Sequence, residues 1–248
     1  YELYEKISEK IFENKGKILL DCKIKKIKIK NNRIIELETN LGKIKGDYII
    51  STIPINSLIS LFKPEPSEEI VYSAKNLVYK NTNIIYFLLK KERAIKDNWI
   101  FFPEKKFLFN RISEQKSFSN KTCPEGKTAL MVETTKTLTD ELVQEIKKQI
   151  IYLKIFSEEE IEEIIVKTLE GAYPIYKIGF KIYLDKILDY LDSLDNFITI
   201  GRQGLFNYNN IDQCWDMAIK TAEHIKNEKN KEEWKSLRKS FDNYKIVD

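Results

Sequence analysis

Residues 201–212 read Gly-Arg-Gln-Gly-Leu-Phe-Asn-Tyr-Asn-Asn-Ile-Asp and join a predicted strand to a predicted helix. The strand is the apolar run at residues 196–200, and the helix extends over about residues 213–225 with Asp212 as its N-cap. The first backbone N–H groups of a helix have no partner within the helix, so they are available to an anion or a polarised ring. The sequence therefore predicts a binding site at this strand-to-helix junction.

A complete phosphate-binding loop is absent from the sequence. It contains neither G-x-G-x-x-G nor G-x-x-x-x-G-K-[ST]. Glycine is also scarce, with 8 in 248 residues against a typical share of about 7%, which argues against a complete Rossmann domain. We therefore expect the junction to be one half of a larger site.

Composition limits the classes of function. The 42% hydrophobic content is sufficient for a core. A net charge of +4, with 32% charged residues of both signs, gives no reason to expect a nucleic-acid partner. The cysteines are far apart, without a C-x-x-C pair, so we expect neither a disulfide framework nor a metal site. They are Cys22, Cys123 and Cys214.

Targeting signals and isolated charged residues add little. No apolar run reaches the roughly 18 residues of a membrane span, and the start at Tyr1 has neither methionine nor a signal sequence. We expect a cytoplasmic piece of a longer protein. His224 has no triad partner near it in sequence, which favours a structural role. Lysines alternate with isoleucines over residues 23–30, which indicates a solvated hairpin face.

The first part of the chain predicts a helix followed by strands. Helical spacing covers residues 1–14, and the pattern then changes to β with turns at Asn31-Asn32 and at residues 40–42. The predicted strands are residues 18–20, 24–29, 34–39 and 48–50, before a short helix that Asn56 and Ser57 cap and that ends at Phe62.

The middle of the chain predicts an antiparallel, aromatic-rich sheet with flanking helices. Its strands are residues 81–89, 99–102, 107–112, 128–133 and 164–169, and its helices are residues 139–156 and 179–194. The predicted class is α+β (mixed α/β), with one domain interrupted by another. The interrupted domain comprises residues 1–60 and 195–226, the inserted domain residues 61–194, and a charged C-terminal helix or tail residues 227–248.

Four segments together resemble the flavin-containing amine oxidase superfamily, and particularly its protoporphyrinogen-oxidase-like and UDP-galactopyranose-mutase-like members. The last segment is the most specific. The segments are residues 20–27, residues 47–54 with their Thr-x-Pro ending, residues 99–103 with 109–111 and 172–176, and residues 201–222.

The resemblance implies that the junction binds FAD. Gly201 would allow close backbone approach to the pyrophosphate, Arg202 would bind phosphate oxygens, and the helix start would stabilise negative charge on the reduced flavin ring. Trp215 and Met217 depart from the small residues that the family often has in this helix. The implied cofactor contacts are Ile24, Thr52, Pro54, Gly201, Arg202, Gly204, Asn210, Ile211 and Asp212.

The inserted domain would shape the substrate site. Each aromatic candidate has a core role as its alternative, and for Arg111 a surface ion pair is the alternative. The implied substrate is an amine, a porphyrinogen-like ring, a polyene or a nucleotide sugar, and the mutase-like segments favour the last. No side chain is identified as a catalytic acid, base or nucleophile. The candidates are Trp99, Phe102, Arg111, Tyr173 and Tyr176.

The resemblance therefore implies the C-terminal portion of an FAD-dependent oxidoreductase. The family's dinucleotide fingerprint precedes the matching region, so we expect the first βαβ unit to be missing and FAD binding to be weak or absent. The alternative is a non-catalytic binding or regulatory subunit. Strands at Leu19, Ile49 and Ile198 would normally join the missing unit, so we also expect self-association through these edges.

Overall fold

The computed structural model of the chain describes residues 2–228 and 230–245, which form two compact units. The first unit comprises the chain up to Leu77 and from Lys177 onward, and the second comprises Val78–Tyr176. Helices and antiparallel strands are both present, which confirms the predicted α+β class.

The helices and strands follow one another in three stretches. The first unit begins with α1 (Glu2–Glu13), β1 (Ile24–Lys30), β2 (Arg33–Thr39), β3 (Gly42–Ile44), β4 (Ile49–Ser51), α2 (Ile55–Leu61), β5 (Phe62–Lys63) and α3 (Glu68–Asn76). The second unit contains β6 (Val78–Leu89), β7 (Trp99–Phe101), β8 (Arg111–Glu114), β9 (Thr128–Thr134), α4 (Asp140–Tyr152) and β10 (Ile161–Ile175). The first unit resumes with α5 (Phe180–Asp192), β11 (Phe197–Thr199), α6 (Gly201–Gly204), α7 (Ile211–Lys226) and α8 (Lys231–Ser240).

The first unit contains two small sheets joined by a buried asparagine. One sheet has the order β3-β2-β1-β5, and in the other β4 pairs with β11 in parallel. The side chain of Asn196 accepts from the Ile34 N–H at 2.8 Å and donates to the Ile34 carbonyl at 2.9 Å. Since both amide groups are satisfied by the backbone of β2, Asn196 fixes the start of β11 relative to that strand.

The second unit is an antiparallel sheet of order β10-β6-β9-β8-β7, with α4 packed against its core. The alternating burial of β9, in which every second residue is buried, is typical of a strand with one face toward a core. Thr139 caps α4 by accepting from the Leu142 N–H. Val143, Ile146 and Ile150 form its buried stripe.

Two helices of the first unit enclose a buried ion pair. Arg238 of α8 donates from Nε and Nη2 to one oxygen of Asp192 at 3.1 and 2.8 Å, and the Trp234 indole N–H donates to the other at 3.1 Å. Trp234 itself is buried. In the region predicted as a C-terminal helix or tail, α8 is therefore packed against α5. Lys229 and residues 246–248 of that region lie outside the described residues.

Several local predictions are corrected by the structure. Residues 18–20 form no strand, and Leu19 and Leu20 are exposed, because the chain turns there through Asp21 with a positive φ. Self-association through strand edges stays a prediction for Ile49 and Ile198 alone. Helix α2 has Pro54 at its N-cap, without a side-chain cap from Asn56 or Ser57.

The second unit is shorter than the inserted domain expected at residues 61–194. Helices α3 and α5, which fall within that range, belong to the first unit. The rings of Tyr72 and Tyr183 meet edge to face at 6.0 Å, and Lys186 pairs with Glu69 at 2.6 Å. The sequence analysis did not predict α3, and this packing explains why the unit boundaries lie at Leu77 and Lys177.

Among the helices described here, none combines the length and apolar character that crossing a membrane requires.

Candidate functional site

The site begins where two parallel strands end at the same edge. Ser51, the last residue of β4, is paired with Thr199, the last of β11, and the Ile200 N–H donates to the Ser51 carbonyl at 3.0 Å. The chain then continues into residues 52–54 on one side and α6 on the other. Ligands of open α/β sheets bind at such carboxyl ends. We call residues 51–54 with 201–212 the junction.

Gly201 allows the turn that leaves β11. Its φ is +79°, a left-handed conformation that side chains other than glycine rarely adopt, and a Cβ built there would meet no atom within 4 Å. The backbone is therefore open to close approach on that side. This is the geometry that the resemblance implies for Gly201.

Gly204 has the opposite environment. A Cβ there would lie 2.6 Å from Thr199 Oγ1 and 3.1 Å from the Ser51 carbonyl oxygen. The Thr199 hydroxyl also donates to the Gly204 carbonyl at 2.9 Å. Gly204 therefore packs α6 onto the strand ends, so its contribution to a cofactor site is the position of the turn.

Replacing Gly204 with alanine is expected to destabilise the first unit by about 1–3 kcal/mol, because the Ser51 carbonyl belongs to a paired strand and cannot move away. Thermal unfolding measures the effect. Gly46→Ala is the matched control, since a Cβ there would come no closer than 3.3 Å, to the Tyr48 carbonyl oxygen, against 2.6 Å at Gly204. Equal stabilities for the two variants would contradict this packing role.

Arg202 folds back over its own loop. Its guanidinium lies 4.3 Å from the centre of the Tyr208 ring, and Nη1 donates to the Asn209 carbonyl at 3.4 Å. The Arg202 side chain thus holds residues 208–209 toward the start of α6. Arg202 is part-buried, and its role in binding phosphate stays a prediction.

The start of α7 differs from the prediction by two residues. Asn210, not Asp212, is the N-cap, and it forms a capping box with Gln213. The Asn210 N–H donates to Gln213 Oε1 at 3.0 Å. This bond satisfies the backbone N–H of Asn210, which would have no such partner if Asp212 were the N-cap. Asp212 lies in the first turn, where its charge favours the helix dipole. Ile211 is exposed.

The junction contains buried side-chain oxygens that have no hydrogen-bond partner among the described residues. Ser51 Oγ and Asn209 Oδ1 are such atoms, and their residues are 9% and 2% exposed. Leaving such atoms unsatisfied costs about 1–3 kcal/mol each. The Thr82 and Thr221 hydroxyls share this property but lie outside the junction. A hydroxyl and an amide oxygen complement the donors and acceptors on the polar edge of a flavin, so the chemistry of the residues present fits that group.

The remaining predicted cofactor contacts occupy different positions. Thr52 is exposed and follows β4, and its Cα is 3.6 Å from the position of a Cβ on Gly204. Pro54 caps α2 immediately afterwards. Ile24 is the first residue of β1, in the other sheet of the unit, and is half-buried. The structure thus brings Thr52 next to α6, whereas Ile24 begins a strand of the four-stranded sheet.

The predicted substrate residues lie in the second unit in two kinds of environment. Phe102 packs edge to face against Phe109 at 4.7 Å and contacts the core, which favours its structural alternative. Trp99, on the edge strand β7, is 44% exposed and stacks on Phe118 at 6.0 Å.

The other three substrate candidates lie on β8 and at the end of β10. Arg111 Nε donates to Glu133 at 3.0 Å, and its guanidinium lies 5.7 Å from the Phe101 ring centre. Tyr173 is half-buried in β10, and Tyr176 is exposed just after that strand. The substrate roles of these residues stay predictions.

Ser51, Asn209 and Gln213 were not predicted as site residues from the sequence. Only Gln213 had a usable signal, because Asn210 and Gln213 have the spacing of a capping box. Ser51 and Asn209 are recognised only from their burial and unsatisfied oxygens.

The charged groups of α7 lie further along the helix. The Lys220 ammonium, 2.6 Å from Asp216, and the Tyr244 hydroxyl both donate to this carboxylate and hold its pKa below the usual value. Burial and the Asp216 carboxylate raise the pKa of Tyr244. Asp216 is therefore charged and Tyr244 neutral at physiological pH.

Comparison with known proteins identifies the class. A sequence profile described as flavin containing amine oxidoreductase matches residues 2–188. Since the match covers most of the chain, the chain belongs to this family of flavin-containing oxidoreductases. The predicted resemblance is confirmed. A search of curated protein sequences finds no match.

Solved structures share the fold. Reduced UDP-galactopyranose mutase has a TM-score of 0.80 at 23% identity, covering 90% of this chain and 49% of that chain. A protein titled as a protoporphyrinogen oxidase from Exiguobacterium sp. 255-15 has a TM-score of 0.67 at 18% identity, covering 91% and 51%. A putrescine oxidase triple mutant has a TM-score of 0.64 at 12% identity, covering 90% of this chain and 52% of that chain. The chain thus spans about half the length of these structures.

Proposed function

We propose that this chain forms the second part of an FAD-dependent oxidoreductase and that the junction binds the flavin ring and the pyrophosphate. The observation that carries the proposal is the pair of buried, unsatisfied atoms at the junction, Ser51 Oγ and Asn209 Oδ1. Family membership supports a flavin as the group that satisfies them. When bound, the flavin supplies the electron transfer to or from the substrate.

The residues of this chain would bind and tune that cofactor. The residues proposed to hold it are Ile24, Thr52, Pro54, Gly201, Arg202, Gly204, Asn210, Ile211 and Asp212. Gly201 offers open backbone, and Arg202 presents a guanidinium to phosphate oxygens. The free N–H groups of the first turn of α7 favour negative charge on the reduced ring.

FAD binding by this chain alone is proposed to be weak. The sequence contains no glycine-rich dinucleotide loop, and this loop is the usual cradle for the pyrophosphate. We propose that a dinucleotide-binding unit, encoded upstream or in a separate subunit, completes the site. The purified chain is expected to lack the visible flavin absorbance band. Stoichiometric flavin in the purified chain would overturn this part of the proposal.

Arg202→Ala is expected to weaken FAD binding about tenfold or more, because a charge-assisted contact to phosphate is lost. Quenching of FAD fluorescence during titration measures the affinity, in the chain alone or together with the completing unit. Arg33→Ala is the control, since Arg33 is exposed on β2 and donates only to the Asp47 carbonyl in the structure. Equal FAD affinities for the two variants would contradict the proposed role of Arg202.

A non-catalytic binding or regulatory subunit is the second candidate. The absence of a dinucleotide loop from the sequence favours it. The coding sequence upstream discriminates between the two: a glycine-rich strand–turn–helix there supports the enzyme, and its absence together with no flavin binding supports the subunit. For the enzyme, the resemblance of residues 99–103 and 172–176 to segments of the mutase-like branch favours a nucleotide-sugar-like substrate over the amine, porphyrinogen-like and polyene alternatives.

A further inference from the structure

The end of the described chain is anchored to α7. We define the C-terminal segment as residues 241–245. Phe241 is fully buried, its ring stacks on that of Tyr244 at 5.7 Å, and it meets Trp234 of α8 edge to face at 6.5 Å. The Tyr244 hydroxyl donates to Asp216 of α7. The segment is therefore held by both helices.

Gln213 connects this segment with the junction. Its Oε1 accepts from the Asn210 N–H at 3.0 Å and from Asn209 Nδ2 at 3.3 Å, while its Nε2 donates to the Lys245 carbonyl at 2.9 Å. The Gln213 side chain is 9% exposed. All three bonds use one planar amide, so a bond on one side fixes its orientation on the other.

We propose that Gln213 is a positioning residue through which the C-terminal segment fixes Asn209 and the start of α7 in the geometry that a ligand requires. The inference rests on the proposed function, because the junction is the site assigned there to the flavin. It goes further by giving the segment a role in that site.

Asn209 shows why the orientation matters. Its Nδ2 is bonded to Gln213, so its Oδ1, which is buried and unsatisfied within the described structure, has a fixed direction. Without the Gln213 amide the Asn209 side chain is free to rotate about its terminal torsion, which is broad. A polar ligand atom would then meet an acceptor that is not held in place.

The contact between Tyr244 and Asp216 fixes the position of the C-terminal segment along α7. Asp216 lies within the same helix as Gln213 and accepts from both Tyr244 and Lys220. The Lys220 ammonium also lies 5.7 Å from the Tyr244 ring centre. These contacts set the position of Tyr244, and hence of the adjacent Lys245 carbonyl, along α7.

Residue-resolved amide hydrogen exchange of the full 248-residue chain tests the inference. Gln213→Ala is expected to speed exchange of the Asn210 amide about fivefold, the effect of losing one hydrogen bond, while the Thr221 amide in the middle of α7 is unchanged. Gln213→Glu retains an acceptor for Asn210 and is expected to restore part of the protection. Tyr244→Phe, which loses the bond to Asp216, is expected to give a smaller increase at Asn210. Glu232→Gln, on the exposed face of α8, is the control.

Unchanged exchange at Asn210 in Gln213→Ala, or an equal increase along the whole of α7, would overturn the positioning role. FAD titration separates this result from the proposed function. If the wild-type protein binds FAD, Gln213→Ala is expected to weaken binding several-fold, and wild-type affinity in that variant also overturns the inference. If FAD does not bind even with the completing unit while Asn210 responds as expected, the flavin assignment fails and the positioning role stands.

Discussion

Glu114→Gln is expected to destabilise the second unit by about 3 kcal/mol. The glutamine side chain has an NH2 group where the carboxylate has an oxygen, so N–H groups that donate to the carboxylate would face the amide hydrogens instead. Glu114 is fully buried. One of its oxygens accepts from the Ala94 N–H at 2.7 Å and the Thr128 hydroxyl at 2.8 Å, and the other accepts from the Ile95 N–H at 3.1 Å and Arg93 Nε at 3.2 Å. An amide NH2 facing Ile95 and Arg93 loses both of their bonds, and one facing Ala94 loses that backbone bond while the Thr128 hydroxyl turns to accept. Urea unfolding followed by tryptophan fluorescence measures the loss.

The matched control is Glu104→Gln, which makes the same chemical change at an exposed carboxylate of the same unit. Its stability is expected to stay close to that of the wild type. A Glu114→Gln variant as stable as Glu104→Gln would show that the buried carboxylate does not organise the segment at residues 93–95.

Asp192→Ala is expected to destabilise the first unit by about 3–5 kcal/mol, because it leaves the Arg238 guanidinium buried without its counter-charge. Asp192 and Arg238 are 4% and 8% exposed, and the Trp234 indole loses its acceptor as well. The midpoint of thermal unfolding, together with the fluorescence of the tryptophans, reports the change.

Asp195→Asn is the control for that variant. Asp195 also pairs with α8, through Lys231 at 2.8 Å, but both side chains are largely exposed. Exposed pairs contribute little, so we expect little change in the unfolding midpoint. A control that is as destabilised as Asp192→Ala would contradict the assignment of stability to the buried pair.

Periodicity predicted the long elements well. Residues 139–156 predicted α4, and the alternation at residues 128–133 predicted β9, because one buried face dominates each pattern. The strand predicted at residues 107–112 occurs instead as β8, Arg111–Glu114. Phe107 and Phe109 belong to an aromatic cluster with Phe102, and packing of these rings overrides their strand propensity.

Short elements depended on partners distant in sequence. Residues 18–20 are apolar and predicted a strand, but no strand forms there, since a strand requires a neighbour that the local pattern does not specify. Asn196 shows the same limit. Its amide is satisfied by Ile34, a contact that no local periodicity indicates.

The position of the candidate site was predicted from the sequence, but several of its residues were not, because their contacts are not local in sequence. The junction was recognised from its glycines and its position between a strand and a helix, and family membership is confirmed. The N-cap was assigned to Asp212 because any of the polar residues there is a good cap, and only the reciprocal bonds with Gln213 identify Asn210. The roles of Ser51 and Asn209 depend on burial, which a single sequence does not give.

The most direct test of a flavin site at the junction is an amide NMR titration of the chain with FAD, which detects weak binding residue by residue. We expect the shifted amides to cluster at residues 51–53, 201–204 and 209–213, and a Gly204→Ala variant to show smaller shifts at the same FAD concentration. Shifts confined to other parts of the chain, or none with the completing unit present, would contradict it.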